Sequence, residues 1–123
     1  IERRLAGLAD LNQENDYVRT ELLKWAGWLI NTYNIDGLRI DTIPEVPKWF
    51  WSQFSEAAGV YTIGEVFDGR IDYISDYQNH LDALLNYPLY FQLKNCFAFG
   101  NSFKQMESVL NDVNRQFKDP HAL

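Results

Sequence analysis

Two short apolar runs, each closed by a carboxylate, constrain the fold of this 123-residue chain more than anything else in it. They are Gly37-Leu38-Arg39-Ile40-Asp41 and Val60-Tyr61-Thr62-Ile63-Gly64-Glu65, with the acids 24 positions apart. Between them lies a stretch of helical spacing, with Pro47 at its start, Phe50, Phe54 and Ala57 along one face and Gly59 as its stop. A strand–helix–strand unit of this kind pairs its strands in parallel through a right-handed crossover. Parallel neighbours finish at the same end of a sheet, so both acids are expected to project from one edge.

The alternation continues on either side. Asn15 caps a helix whose Val18, Leu22, Trp25, Leu29 and Tyr33 recur near the helical period, and Asn34 is suited to end it. After Glu65, Asp68-Gly69 reads as a turn, Arg70 to Tyr77 as a short helix, and Leu81 to Asn86 as a third strand halted before Pro88. Pro88 to Phe97 is read as helical. Ser102 with Gln105 fits a capping box before a stripe of Phe103, Met106, Val109 or Leu110, Val113 and Phe117. The order α-β-α-β-α-β-α implies a parallel sheet, in a barrel or an open doubly wound form. Three strands look like an arc of a barrel.

Composition narrows the function. A 46 % hydrophobic and 15 % aromatic chain has material for one core, and its length suits one domain without an internal boundary. No run of 18 apolar residues offers a membrane span. The start, Ile1-Glu2-Arg3-Arg4-Leu5, is not read as a signal peptide. With a net charge of −6 and scattered Lys and Arg, nucleic acid and anionic membranes are not expected partners, whereas a neutral polar ligand such as a glucan is not repelled. The single Cys96 reads as a small core residue, and His80 and His121 lie away from the acid-bearing runs.

Strand alternation puts Leu38 and Ile40 on one face and Arg39 and Asp41 on the other. A guanidinium beside Asp41 favours its ionised form, as a nucleophilic carboxylate requires. The plain alternative is an Arg–Asp pair that satisfies a barrel interior. Glu65 follows Ile63-Gly64 and precedes Val66 and Phe67; apolar neighbours would favour its protonated form, as a proton donor needs. A solvated loop-end Glu is the ordinary reading of the same residue. Together, one ionised and one protonated carboxyl about 5–5.5 Å apart is the arrangement of a retaining glycosidase. A magnesium-enolate site would want a third acid at the end of the next strand, where Asn86 and Tyr87 stand; Asp82 comes too early. Trp49, Phe50 and Trp51 suit core or helix surface better than a sugar platform. Asp68-Gly69 is either a turn or a carboxylate beside a ligand, and Asp10 either a helix cap or a metal ligand.

The residues then carry a resemblance. Asp36-Gly37-Leu38-Arg39-Ile40-Asp41-Thr42 resembles the second signature of the α-amylase superfamily, glycoside hydrolase family 13, and Gly64-Glu65-Val66 its third. Gly7-Leu8-Ala9-Asp10-Leu11-Asn12 is similar to the family's Leu-Pro-Asp-Leu segment, with Ala9 in the proline position. Residues 57–69 and Asn86-Tyr87-Pro88 resemble fungal-type α-amylases. The likeness spans nearly the whole chain and implies strands four to six of a (β/α)₈ barrel, with the active site at the C-terminal strand ends. It implies Asp41 as nucleophile, Glu65 as general acid then base, and Arg39 as the residue that orients and ionises Asp41. It further implies Asp68 and Gly69 on the leaving-group side and Asp10 as a ligand of a structural calcium.

Two departures qualify these expectations. Pro44-Glu45 stands where such amylases have Lys-His, so Glu45 keeps a backbone carbonyl for calcium while its sugar contact is in question. The first and fourth signatures, the latter with a third catalytic Asp, are absent. The chain is therefore expected to be an internal piece of a larger secreted or lysosomal-type digestive enzyme, monomeric, acting on starch-like α-1,4-glucans and inactive when isolated. An α-glucosidase, a glucan transferase, or a non-catalytic glucan-binding relative are the alternatives.

Overall fold

The computed structural model describes residue 7 and residues 9–118. Helix α1 spans Asp16–Tyr33, strand β1 Gly37–Ile40, helix α2 Lys48–Ala58 and strand β2 Tyr61–Gly64. They are followed by helix α3 at Ile71–Ser75, strand β3 at Ala83–Leu84, and helices α4 at Tyr87–Phe99 and α5 at Phe103–Gln116. The three strands form one parallel sheet in the order β1-β2-β3.

The helix ends follow from local chemistry. Asn15 accepts from the amides of Tyr17 and Val18, satisfying donors that the first turn cannot. Asn34 closes α1 in the left-handed region at φ 52°, and Gly59 closes α2 at φ 65°. Pro47 sits one residue before α2, where a missing amide costs nothing. The buried face of α1 differs from the expected stripe. Trp25 and Tyr33 are exposed, and the helix buries Ala26 and Ile30 instead. Close approach explains this: a Cβ on Gly27 would lie 3.3 Å from the Ala57 carbonyl oxygen, so α1 meets α2 across its small residues.

Helix α2 buries Phe50, Trp51, Phe54 and Ala58 rather than Ala57, and these join Ile43, Val66, Ile74, Leu84 and Val113 in one core. Of the three neighbouring aromatics, Phe50 and Trp51 are core, and Trp49 faces outward with Arg19 over its ring. Cys96 is buried, as expected. Strand β3 is shorter than the reading of Leu81 to Asn86. Its ladder begins only at Ala83, because the Thr62 amide and hydroxyl go to the Asp82 carboxylate at 2.8 and 2.9 Å instead of to a strand carbonyl. Helix α5, capped by Ser102 through the Lys104 amide, buries Val113 and leaves Phe103 and Leu110 exposed.

Candidate active site

Register places the acids. Gly37 to Ile40 pair in order with Tyr61 to Gly64, so Asp41 and Glu65 are the next rung at the same end of the sheet. The rung is tied by Glu65 N–H to the Ile40 carbonyl at 2.9 Å and by Ile43 N–H to the Glu65 carbonyl at 3.2 Å. Gly64 makes the approach possible: a Cβ there would meet Leu81 Cδ1 at 2.6 Å and Ile43 Cδ1 at 2.8 Å. The Trp51 indole donates to the Ile43 carbonyl at 2.9 Å, anchoring the turn that follows Asp41 to α2. Within that turn Thr42 is held at φ 44°, ψ 43°. A β-branched residue there is an outlier costing about 1–3 kcal/mol, a kind of strain that concentrates at functional sites.

The side chains converge. Arg39 Nη1 donates to Asp41 Oδ1 at 2.8 Å, while its Nη2 lies 3.1 Å from Glu65 Oε1. One guanidinium therefore touches both carboxyl groups. A hydrogen bond shared with the Glu65 carboxyl, and then the Arg39 guanidinium, hold the Asp41 carboxyl below its ordinary range. Asp41 stands open with its side chain 69 % exposed, and Glu65 is recessed at 14 %. The apolar surroundings expected for Glu65 are not what it meets. Val66 turns into the core and Phe67 is exposed, whereas the Glu65 side chain receives the Tyr87 hydroxyl at 2.7 Å on Oε1 and faces the Thr42 amide at 3.4 Å from Oε2.

The family described as "Alpha amylase, catalytic domain" matches residues 2–121. The chain belongs to that family. It is 42 % identical over 115 residues to the "Beta/alpha-amylase" of Paenibacillus polymyxa, a span of 94 % of this chain and 10 % of that protein. It is also 42 % identical over 117 residues to "Alpha-amylase 1" of Lipomyces kononenkoae, covering 94 % of this chain and 19 % of the relative. Among solved structures, an α-amylase from Malbranchea cinnamomea superposes with TM-score 0.86 at 37 % identity, over 90 % of this chain and 24 % of its own. The Geobacillus thermoleovorans α-amylase, complexed with acarbose, gives 0.89 at 34 %, over 95 % of this chain and 28 % of its own. The chain thus spans a minor part of the length of these relatives, and its sheet is an arc of the α-amylase (β/α)₈ barrel.

The other anticipated residues of the α-amylase site are placed as follows. Asp68 accepts from the Arg70 amide at 2.8 Å and from the Arg70 guanidinium at 2.7–3.2 Å, so its carboxylate, held below its ordinary range chiefly by that side chain, is engaged within its own loop. Its turn is of the Asx type, closed by side chain rather than by backbone. Gly69 lies against Phe91: a Cβ would stand 3.4 Å from that ring. Glu45 ends a short 3-10 turn, Ile43–Glu45, and is half-buried; Asp10 is exposed. Among the described residues no group of three or more His, Cys, Asp or Glu could hold a metal ion. Calcium asks for six to eight oxygen ligands, so Asp10 and the Glu45 carbonyl do not by themselves make a site for it.

Sequence reasoning missed Tyr87 and Thr42 as members of the site. The Asn86-Tyr87-Pro88 string was visible, but nothing in its spacing shows that a residue following β3 reaches back to the end of β2.

Proposed function

We propose that the protein to which this chain belongs is a retaining, endo-acting α-1,4-glucan hydrolase, with Asp41 as nucleophile and Glu65 as acid–base. The observation that carries the reading is the single Arg39 guanidinium in contact with both carboxyls at adjacent strand ends. A guanidinium shared between two acids at adjacent strand ends supports the close spacing that a retaining enzyme uses. An Asp41 oxygen attacks the anomeric carbon as the C1–O bond to the leaving sugar breaks. The electron pair of that bond goes to the departing oxygen, which takes the Glu65 proton. Water then attacks C1 and gives its proton to Glu65, and the electrons of the Asp41–C1 bond return to Asp41. Arg39 keeps Asp41 charged and oriented through both steps.

Asp68 and Gly69, three and four residues past Glu65, are placed on the leaving-group side, with Arg70 and Phe91 as their supports. Glu45 contributes its carbonyl, and Asp10 its carboxylate, to a structural calcium whose remaining oxygens come from other parts of the protein. Secretion is the matching location for a starch-degrading enzyme.

The decisive experiment uses the full-length parent. Asp41→Asn is expected to lower turnover of soluble starch by about 10,000-fold or more while starch still binds. Retention of most activity would refute the assignment. Reducing-end release from long chains, rather than glucose alone, separates endo-hydrolysis from an α-glucosidase or a transferase.

A further inference from the structure

We propose that Tyr87 is a positioning residue for Glu65, its hydroxyl and Arg39 together occupying one carboxyl oxygen so that the transferable proton resides on the other. This rests on the reading of Glu65 as the proton donor. A carboxyl oxygen offers two lone pairs. At Oε1 the Tyr87 hydroxyl donates at 2.7 Å and Arg39 Nη2 stands at 3.1 Å. A proton on that oxygen would have to displace a donor and approach a cation. Among the described residues the one N–H donor that reaches Oε2 is the Thr42 amide, at a long 3.4 Å, so Oε2 is the oxygen free to bear hydrogen, including the hydrogen shared with the Asp41 carboxyl.

Tyr87 is built to hold this post. It opens α4, directly after Asn86, whose side chain caps the helix by accepting from the Leu89 amide at 3.1 Å, and directly before Pro88. Its ring is edge-on to Phe67 at 4.8 Å and to Tyr90 at 5.7 Å between centroids, which fixes the direction of the hydroxyl. The hydrogen bond to Glu65 and then burial raise the phenol above its ordinary value, so it remains a donor across the neutral range.

When the proton leaves Oε2 for the departing sugar oxygen, the electrons of the O–H bond stay on Glu65. The charge that appears there is met by the Tyr87 hydroxyl and by Arg39. In the first step, which kcat/KM reads, the contribution of Tyr87 is thus confined to substrates whose leaving group needs a proton.

The test compares a maltooligosaccharide with α-maltosyl fluoride, whose leaving group departs without a proton, in the full-length enzyme. Tyr87→Phe is expected to lower kcat/KM for the oligosaccharide by about 10- to 100-fold, the worth of a hydrogen bond to a charged group, and to leave the fluoride little changed. Equal losses on both substrates, or no loss on either, would overturn the proposal. Glu65→Gln, run in parallel, keeps the two readings apart: if it too loses both substrates equally, the proton-donor assignment itself fails. If Tyr87→Phe does not fold, as judged by its melting curve, 3-fluorotyrosine at position 87 retains ring and hydroxyl and alters only the donor. An unmoved ratio between the two substrates there would also overturn the proposal.

Discussion

Arg39 is the residue on which the electrostatics of the site turn. Its partnership with Asp41 was legible in the sequence, because two residues apart on a strand means one face. Its reach to Glu65 was not, since that depends on which strands are neighbours. The pH dependence follows. The Asp41 carboxyl is depressed in the folded protein, so what its charge contributes is in place above its unfolded value, about 3.9, and is lost only as pH falls through a lower folded value. The acid limb of kcat/KM is therefore expected below the usual Asp range. Arg39→Met removes the second of the two supports and should move that limb upward; a limb that stays in place in a full pH–rate profile would show that Arg39 does not ionise Asp41. Because Asp41 is largely exposed, the readout belongs to activity rather than to melting temperature.

At the scale of elements, the informative position is Gly64. It reads from sequence as an ordinary strand residue, yet the side chains of Ile43 and Leu81 lie where its Cβ would be. Ile43 is fully buried and Leu81 nearly so, which leaves neither space to retreat. Gly64→Ala is expected to destabilise by about 1–3 kcal/mol through overpacking, measured by thermal or denaturant melting. Helix boundaries were easier to read than helix faces. Asn15, Asn34, Pro47 and Gly59 act through their own backbone preferences, and all four stand at helix ends. The burial of Ala26 and Ile30 in place of Trp25 and Tyr33 depends on how near α2 comes, which no spacing within α1 encodes. The same holds for β3, cut short by a carboxylate from Asp82 that competes with the ladder.

At the scale of the molecule, β1 and β3 are the outer strands of the described sheet, each with one unpaired edge. Beside β1 lies an open, largely apolar cavity of about 330 Å³ lined by Leu22, Leu29, Leu38, Ile40, Phe50 and Phe54. An arc with two open edges and an apolar flank of this kind is poorly suited to stand alone. Expressed as an isolated polypeptide, the 123-residue chain is expected to hydrolyse no starch and to aggregate at concentrations where the full-length protein stays in solution, as light scattering would report. Turnover by the isolated chain would contradict this. Calcium belongs to the same scale. In the parent, chelation is expected to lower the melting temperature, and Asp10→Ala to blunt that response; a melting curve indifferent to chelator would remove calcium from the account.

The sequence by itself determined the alternation of strands and helices, the ends of those helices and the pairing of Arg39 with Asp41, because each depends on residues close along the chain. Only the tertiary structure decided that one guanidinium serves two acids, that a side chain at Gly64 would crowd Ile43 and Leu81, and that Tyr87 closes over Glu65. These depend on which strand ends lie side by side, and contacts across a sheet leave no periodic trace in the residues that make them.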